Sequence, residues 1–286
     1  MASMTQAPAP ASTPRFSAVR ALSWGRWLPV LAVAAYVIIP LICSIAFAVF
    51  PGGSFSLDAF HVLGSDAKLS SAIVRTLLIT AVTIAVLIAA LVPAVVAVHL
   101  WAPRLRTVLE ILYTLPLVVP PIALVAGVVA ILRWGAQQGR GSTPNAISQF
   151  LQNQDLPLIL VGTYVVLCLP FTFRSIDAGL RTIPLKAIVE GSQVLGSSMW
   201  GTIWRVVLPN MRGSILFSVF FATALCFGEF TIAATLSQQT VPVWLYTVSS
   251  TQFRSSIAIA VLLNLITWAL MLIATFATAK ANRTRD

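Results

Sequence analysis

Apolar residues gather along the chain into six long runs, near residues 27 to 50, 71 to 100, 107 to 132, 157 to 173, 213 to 236 and 255 to 279. About 20 apolar residues in helical conformation cross about 30 Å of hydrocarbon, so each run is predicted to be a membrane-spanning helix or nearly one. The second and third are long enough to tilt or to extend beyond the bilayer. The fourth is short and contains Pro170. Composition agrees with this reading: 58% of the 286 residues are hydrophobic, 9% are charged and the mean hydropathy is +0.92. Soluble domains carry roughly 25% charged residues. The expected fold is all-α: a polytopic membrane protein with six transmembrane helices.

The net charge of +10 matters through its placement. With the N-terminus cytoplasmic, Arg15, Arg20, Arg26, Arg104, Arg106, Arg174, Arg181, Lys186, Arg205, Arg212, Lys280, Arg283 and Arg285 fall inside, which is 13 of the 18 basic residues. Lys68, Arg75, Arg133, Arg140 and Arg254 fall outside. That asymmetry places both termini in the cytoplasm, and the basic excess reports orientation and no nucleic-acid partner. Residues 1 to 20, rich in Ala, Pro, Ser and Thr, read as a disordered cytoplasmic tail. Residues 21 to 54 are the first span and the start of an external loop, and 55 to 286 are the core with five further spans. The first run is about twice the length of a signal-peptide core and lacks a small-x-small cleavage site, so it is expected to stay as a helix.

Little enzyme chemistry is visible. Cys43, Cys168 and Cys226 all lie in apolar runs, where they read as small buried side chains. His61 and His99 are far apart, and no metal-ligand cluster occurs. The chain has no Gly-x-Ser-x-Gly, no His-Glu-x-x-His and no phosphate-binding Gly-x-x-x-x-Gly-Lys-Ser/Thr. If the protein moves a solute uphill with ATP, the ATPase is another chain.

The longest internal link runs from about residue 175 to 211 on the cytoplasmic side, and its composition is ordered. Ile183-Pro184-Leu185-Lys186 opens a helix. Apolar Ile188, Val194 and Leu195 alternate with small Gly191 and Ser192 to give a smooth face. Gly196 suits a left-handed C-cap, and Ser197 or Ser198 caps a second helix carrying Met199, Trp200, Ile203, Trp204 and Val207. Pro209 keeps that helix from running into the next span. Two readings of the element remain open on these grounds. One is an amphipathic helix in the headgroup layer anchored by Trp200 and Trp204; the other is a docking element for a soluble partner, with Glu190 meeting a cation.

The spacing Glu190-Gly191-Ser192, three residues, Gly196, nine residues, Val206-x-Leu208-Pro209 resembles the "EAA" signature E-A-A-x3-G-x9-I-x-L-P of permease subunits of bacterial ABC importers. Gly191, Ser192 and Val206 depart from it conservatively. The resemblance covers about residue 55 to the C-terminus in order and number of spans, and it implies the type I ABC importer permease fold in a bacterial inner membrane. It also implies that Glu190, Gly191, Ser192, Leu195, Gly196, Ser197, Met199, Trp200, Leu208 and Pro209 couple to a cytoplasmic P-loop ATPase dimer. ATP and Mg then belong to that partner, with no cofactor in this chain. A second permease, a homologous different chain, and an extracytoplasmic solute-binding protein complete the implied assembly.

Finer matches concern the solute. Leu195-Gly196-Ser197-Ser198 looks like the "LGAS" form of permeases for polyamines, ferric iron, sulfate, molybdate, thiamine and phosphonates. Cys168-Leu169-Pro170-Phe171, Pro116 to Pro121 and Pro242 to Tyr246 resemble the second permease of spermidine/putrescine systems, so a polyamine is the expected solute. Gly228-Glu229-Phe230 is closer to the GEF of sulfate, molybdate and iron permeases, which stand as alternatives. A passive channel or scaffold is the alternative from another class.

A carboxylate in an apolar helix costs roughly 2.5 to 3.5 kcal/mol on insertion scales, so Glu229 is expected to line the translocation path with Phe230, or else to bond a neighbouring helix or the partner permease. Pro120, Pro121 and Pro170 are assigned to the same path, because prolines at membrane depth need a cavity or a neighbour to satisfy freed carbonyls. Glu110 is expected to pair with Arg106, and Asp177 with Arg181 four residues on.

Overall fold

The computed structural model describes residues 22 to 283, a set of helices with no strand among them. The predicted tail, 1 to 20, lies outside the described residues. In chain order the helices are α1 Leu22–Val49, α2 Ala67–Trp101, α3 Arg106–Thr114, α4 Pro121–Gln137, α5 Thr143–Leu151, α6 Leu158–Arg181, α7 Leu185–Val194, α8 Met199–Thr202, α9 Arg212–Gly228, α10 Thr231–Thr235, α11 Val241–Ser249 and α12 Phe253–Arg283.

Four of them contain unbroken stretches long and apolar enough to cross a membrane: Trp27–Val49, Ala67–Trp101, Leu158–Arg181 and Phe253–Ile273. The third and fifth predicted spans are bent. Pro103–Leu117 meets Pro121–Gln137 at 93°, and Met199–Asn210 meets Arg212–Gly228 at 84°. Counting each bent pair as one span restores six. The first bend follows from chemistry the apolar pattern hides: Pro116 lies in a short 3-10 turn and Pro120 is extended (φ −57°, ψ 139°) so that Pro121 can start α4. Residues 107 to 132 therefore do not form one helix. The fifth run likewise stops at Gly228, because Glu229 is extended (φ −83°, ψ 114°). The fourth run is longer than predicted, continuing through Pro170 to Arg181, so the cytoplasmic link begins at Thr182 and not near 175.

The centre of the bundle is α6 packed on α2 and α9, with α1 laid outside against α12. Lipid tails supply no hydrophobic drive between helices, so close crossings depend on small residues. Gly179 of α6 provides one. A Cβ there would stand 2.9 Å from the Cβ of Ser214 on α9, and Ser175, one turn earlier, donates its hydroxyl to the Ser214 carbonyl at 3.0 Å.

Candidate functional site

The cytoplasmic link folds as helix, glycine turn, helix. At the end of α7, the Gly196 N–H reaches the Gln193 carbonyl (2.9 Å) and the Ser197 N–H reaches the Ser192 carbonyl (3.0 Å). This is a Schellman closure, with Gly196 at the left-handed position (φ +81°) that the sequence assigned to it. Ser198 is the cap of α8, its hydroxyl accepting from the Gly201 amide at 3.1 Å. After α8 the chain passes through a π turn, Ile203–Val207, into Leu208–Asn210, and bends at Met211. Pro209 thus sits two residues ahead of the break that separates this arm from α9.

One side of the element is built into the protein. Leu185 and Val189 of α7, with Ile203, Val207 and Met211, are buried in one cluster with Leu91, Val92, Val95 and Val96 of α2 and Phe173, Ile176 and Leu180 of α6. The link is therefore bolted to the inner ends of the two helices at the centre of the bundle. Trp204 is half-buried against that cluster, while Trp200, its T-shaped partner at 5.7 Å, is exposed.

The other side is bare. Val194 and Leu195 are each 87% exposed, side by side at the turn. Ile188, expected on the same face, instead packs on the core. Glu190, Gly191 and Gly196 are exposed, and Ser192, Ser197, Met199 and Leu208 are half-buried. Glu190 has Lys186 at 3.9 Å across open solvent, an ion pair of small worth that leaves the carboxylate accessible. Val194 was readable as apolar but not as a surface knob; only the closure after it aims it outward.

A second feature behind the turn escaped the sequence reading. Asp177, 7% exposed, gathers three basic side chains at the inner ends of α2, α3 and α6. Arg106 donates two bonds to it (3.1 and 2.9 Å), Arg181 donates one at 2.6 Å, and His99 Nε2 stands 3.2 Å away while its Nδ1 bonds the Val95 carbonyl. The expected Arg106–Glu110 pair is corrected by this arrangement: a buried carboxylate 71 residues on offers Arg106 a fork that an exposed neighbour does not. The Asp177–Arg181 pair is present as expected.

The residues assigned to a path lie away from this turn. Glu229 turns its carboxylate onto backbone amides. Both its oxygens accept from the Ile232 amide at 3.0 Å, and one also accepts from Ala233 at 3.4 Å, so it caps α10. Its backbone carbonyl accepts from the Tyr164 hydroxyl at 3.5 Å. Phe230 packs at a tilt against Tyr246 (ring centroids 4.8 Å apart, planes at 44°) and lies in a cluster with Val125 of α4 and Tyr164 of α6. Pro120 and Pro121 form the exposed elbow before α4, whereas Pro170 is buried within α6.

Comparison with known proteins places this geometry. The sulfate transport system permease protein CysW of Synechococcus elongatus is 27% identical over 215 residues, covering 73% of this chain and 70% of the relative. CysW of Escherichia coli K12 is 28% identical over 230 residues, 76% of this chain and 73% of the relative. The probable transport system permease protein NifC of Clostridium pasteurianum is 26% identical over 182 residues, 59% of each. Among solved structures, a bacterial ABC transporter involved in the import of the acidic polysaccharide alginate superposes with a TM-score of 0.65 at 16% identity, over 93% of this chain and 96% of that one. The type I ABC importer permease fold is thereby shown, and a passive channel or scaffold is set aside. With the family described as "Binding-protein-dependent transport system inner membrane component" matching residues 90–284, the chain belongs to that family: it is a multi-pass inner-membrane permease subunit of an ABC importer, and not itself an enzyme.

Proposed function

We propose that this permease forms half of the path for a small oxyanion of the sulfate type, driven by a separate ATPase that grips the turn at 190 to 200. The observation that carries the coupling is the pairing of a bare tip, Val194 and Leu195, with a base buried against α2 and α6. Apolar knobs on a rigid stalk suit a groove in a soluble partner, and a pull on the tip reaches the central helices without a flexible joint. Glu190 supplies the charge at the rim of that contact. A P-loop ATPase dimer, a second permease and an extracytoplasmic binding protein are the partners. A bacterial alginate ABC transporter with a chain of this fold is solved in complex with an alginate pentasaccharide-bound periplasmic protein, which supports the binding-protein part of this reading.

The oxyanion reading replaces the polyamine expectation on two grounds. Two relatives named as sulfate permeases match 73% and 76% of this chain. A polyamine path also calls for carboxylates free to meet amines, and Glu229 spends both oxygens on backbone amides. In this reading Glu229 and Phe230 shape the wall of the path, with Pro120, Pro121 and Pro170 marking where its helices bend. Uptake by proteoliposomes holding the complete importer tests it: labelled sulfate or molybdate accumulates with ATP, and spermidine does not. Spermidine uptake without oxyanion uptake overturns it.

A further inference from the structure

On the extracytoplasmic side, Arg75 lies two turns into α2, half-buried, and among the described residues it makes no hydrogen bond or ion pair. An arginine inside an apolar span is retained where it faces a cavity or a counter-charge. Arg75 faces a cavity. It lines a hollow of about 470 Å³ together with Ser71 one turn earlier, Gln152 and Gln154 from the α5–α6 connection, and Gln238 and Gln239 from the α10–α11 connection. Gln238 is buried to 7% exposure, and the hollow's wall also includes Ser237, held at φ +55°, a conformation costly for a residue with a side chain. Three chain segments far apart in sequence thus bring amides and hydroxyls to one guanidinium. Asp155, which is exposed, lines a second, more open hollow together with Arg75.

We infer that this hollow is a binding site for a small tetrahedral oxyanion on its way into the path, with Arg75 as its charged donor and the amides of the surrounding glutamines as neutral donors. A guanidinium presents a planar fork matched to two oxygens of such an anion, and uncharged amides complete its shell without adding repulsion. A cationic solute is excluded by the same charge. The assignment rests on the oxyanion reading above and adds the residues that would enforce it.

The complete importer in proteoliposomes, supplied with its binding protein and labelled sulfate, tests the site. Arg75→Gln is expected to lower sulfate uptake at least tenfold while ATP hydrolysis stimulated by the binding protein stays at the wild-type rate; Arg75→Lys keeps an intermediate uptake, and Asp155→Asn leaves uptake equal or higher. Preserved stimulation also shows that the variant folds and assembles. Wild-type uptake by Arg75→Gln overturns the site and leaves the oxyanion reading standing. Loss of stimulation together with uptake overturns it too, assigning Arg75 to docking of the binding protein. Absence of sulfate uptake by the wild-type importer overturns the oxyanion reading and the site with it.

Discussion

Arg106, at the start of α3, closes a two-bond fork on Asp177 near the end of α6, at 3.1 and 2.9 Å. The pair ties the chain just after α2 to the helix that carries the coupling link, directly behind the cluster in which that link is seated. Removing the carboxylate strands Arg106 and Arg181 together. Asp177→Ala is expected to cost about 3 kcal/mol, the low end for a broken buried pair, since the Arg181 side chain is 55% exposed and can turn to water. Thermal unfolding in detergent measures this. Arg106→Ala in the same background should add little, and a full additive loss from the second substitution would show that the two side chains are not coupled.

The coupling turn yields a prediction that separates conformation from contact. Gly196→Ala forces a Cβ into the left-handed region, costing roughly 1 to 2 kcal/mol locally, with open space around the new methyl. Leu195→Asp changes no backbone preference but removes an apolar knob. If the turn docks in an ATPase, Leu195→Asp and Glu190→Arg both abolish co-purification of the ATPase while leaving the permease's own melting temperature within experimental error. Undiminished co-purification of both variants would remove the turn from the interface.

How far the sequence foretold this molecule depends on the range of the signal. Six apolar runs and the Gly196 closure are local or periodic, and they were legible. The elbow at Pro116 to Pro121 was spelled out in prolines, yet hydropathy averaging smoothed it into one span. Glu229 read as a charge at membrane depth because nothing in its run announces a break; its role as a cap exists only once the helix stops at Gly228. Asp177 was visible merely as half of an i,i+4 pair, because its partners at His99 and Arg106 lie 78 and 71 residues away along the chain. Whatever depended on long-range pairing was invisible until the helices were in place.

Gly179 tests the central crossing. Its absent side chain lets α6 meet α9 at Ser214. Gly179→Val drives two methyls into backbone-flanked serine atoms and should destabilise by about 1 to 3 kcal/mol, the usual penalty for overpacking. Gly127, which has nothing within 4 Å of the corresponding position, is the control. Its valine variant should melt near wild type, and equal losses at the two sites would point to helix propensity as the cause.

Asp66 caps α2 just outside the span, accepting from the amides of Lys68 (2.7 Å) and Leu69 (3.3 Å) and from the Trp244 indole (3.1 Å). Burial pushes its pKa up, but the Lys68 amide, the indole, the Leu69 amide and the Lys68 charge together outweigh this and hold it below the usual carboxylate value. The folded pKa is depressed, so the stabilisation is complete above the ordinary carboxylate range and is lost as pH falls through the lower folded value. Asp66→Ala should cost about 1 kcal/mol at neutral pH. The gap between wild type and variant, followed by melting temperature, should close on acidification; a gap that widened toward low pH would reverse the sign and refute the assignment.

Glu229 offers the sharpest separation of structure from transport. Its carboxylate serves two backbone amides at the start of α10, a task an uncharged side-chain carbonyl also performs. Glu229→Gln should therefore keep the cap and melt within a few tenths of a kcal/mol of wild type, whereas Glu229→Leu, with no acceptor, should lose about 1 kcal/mol or somewhat more. Transport then distinguishes the roles. If Glu229 acts only as a cap, Glu229→Gln imports at the wild-type rate, and the charge is incidental. If the charge shapes the path, repelling an anion or opposing a cation at a gate, the same variant changes uptake severalfold with its stability intact. A charge beside the path of an anion would raise the barrier to passage, so the oxyanion reading fixes the direction: uptake of sulfate by Glu229→Gln should equal or exceed that of the wild type, and a severalfold fall would count against it.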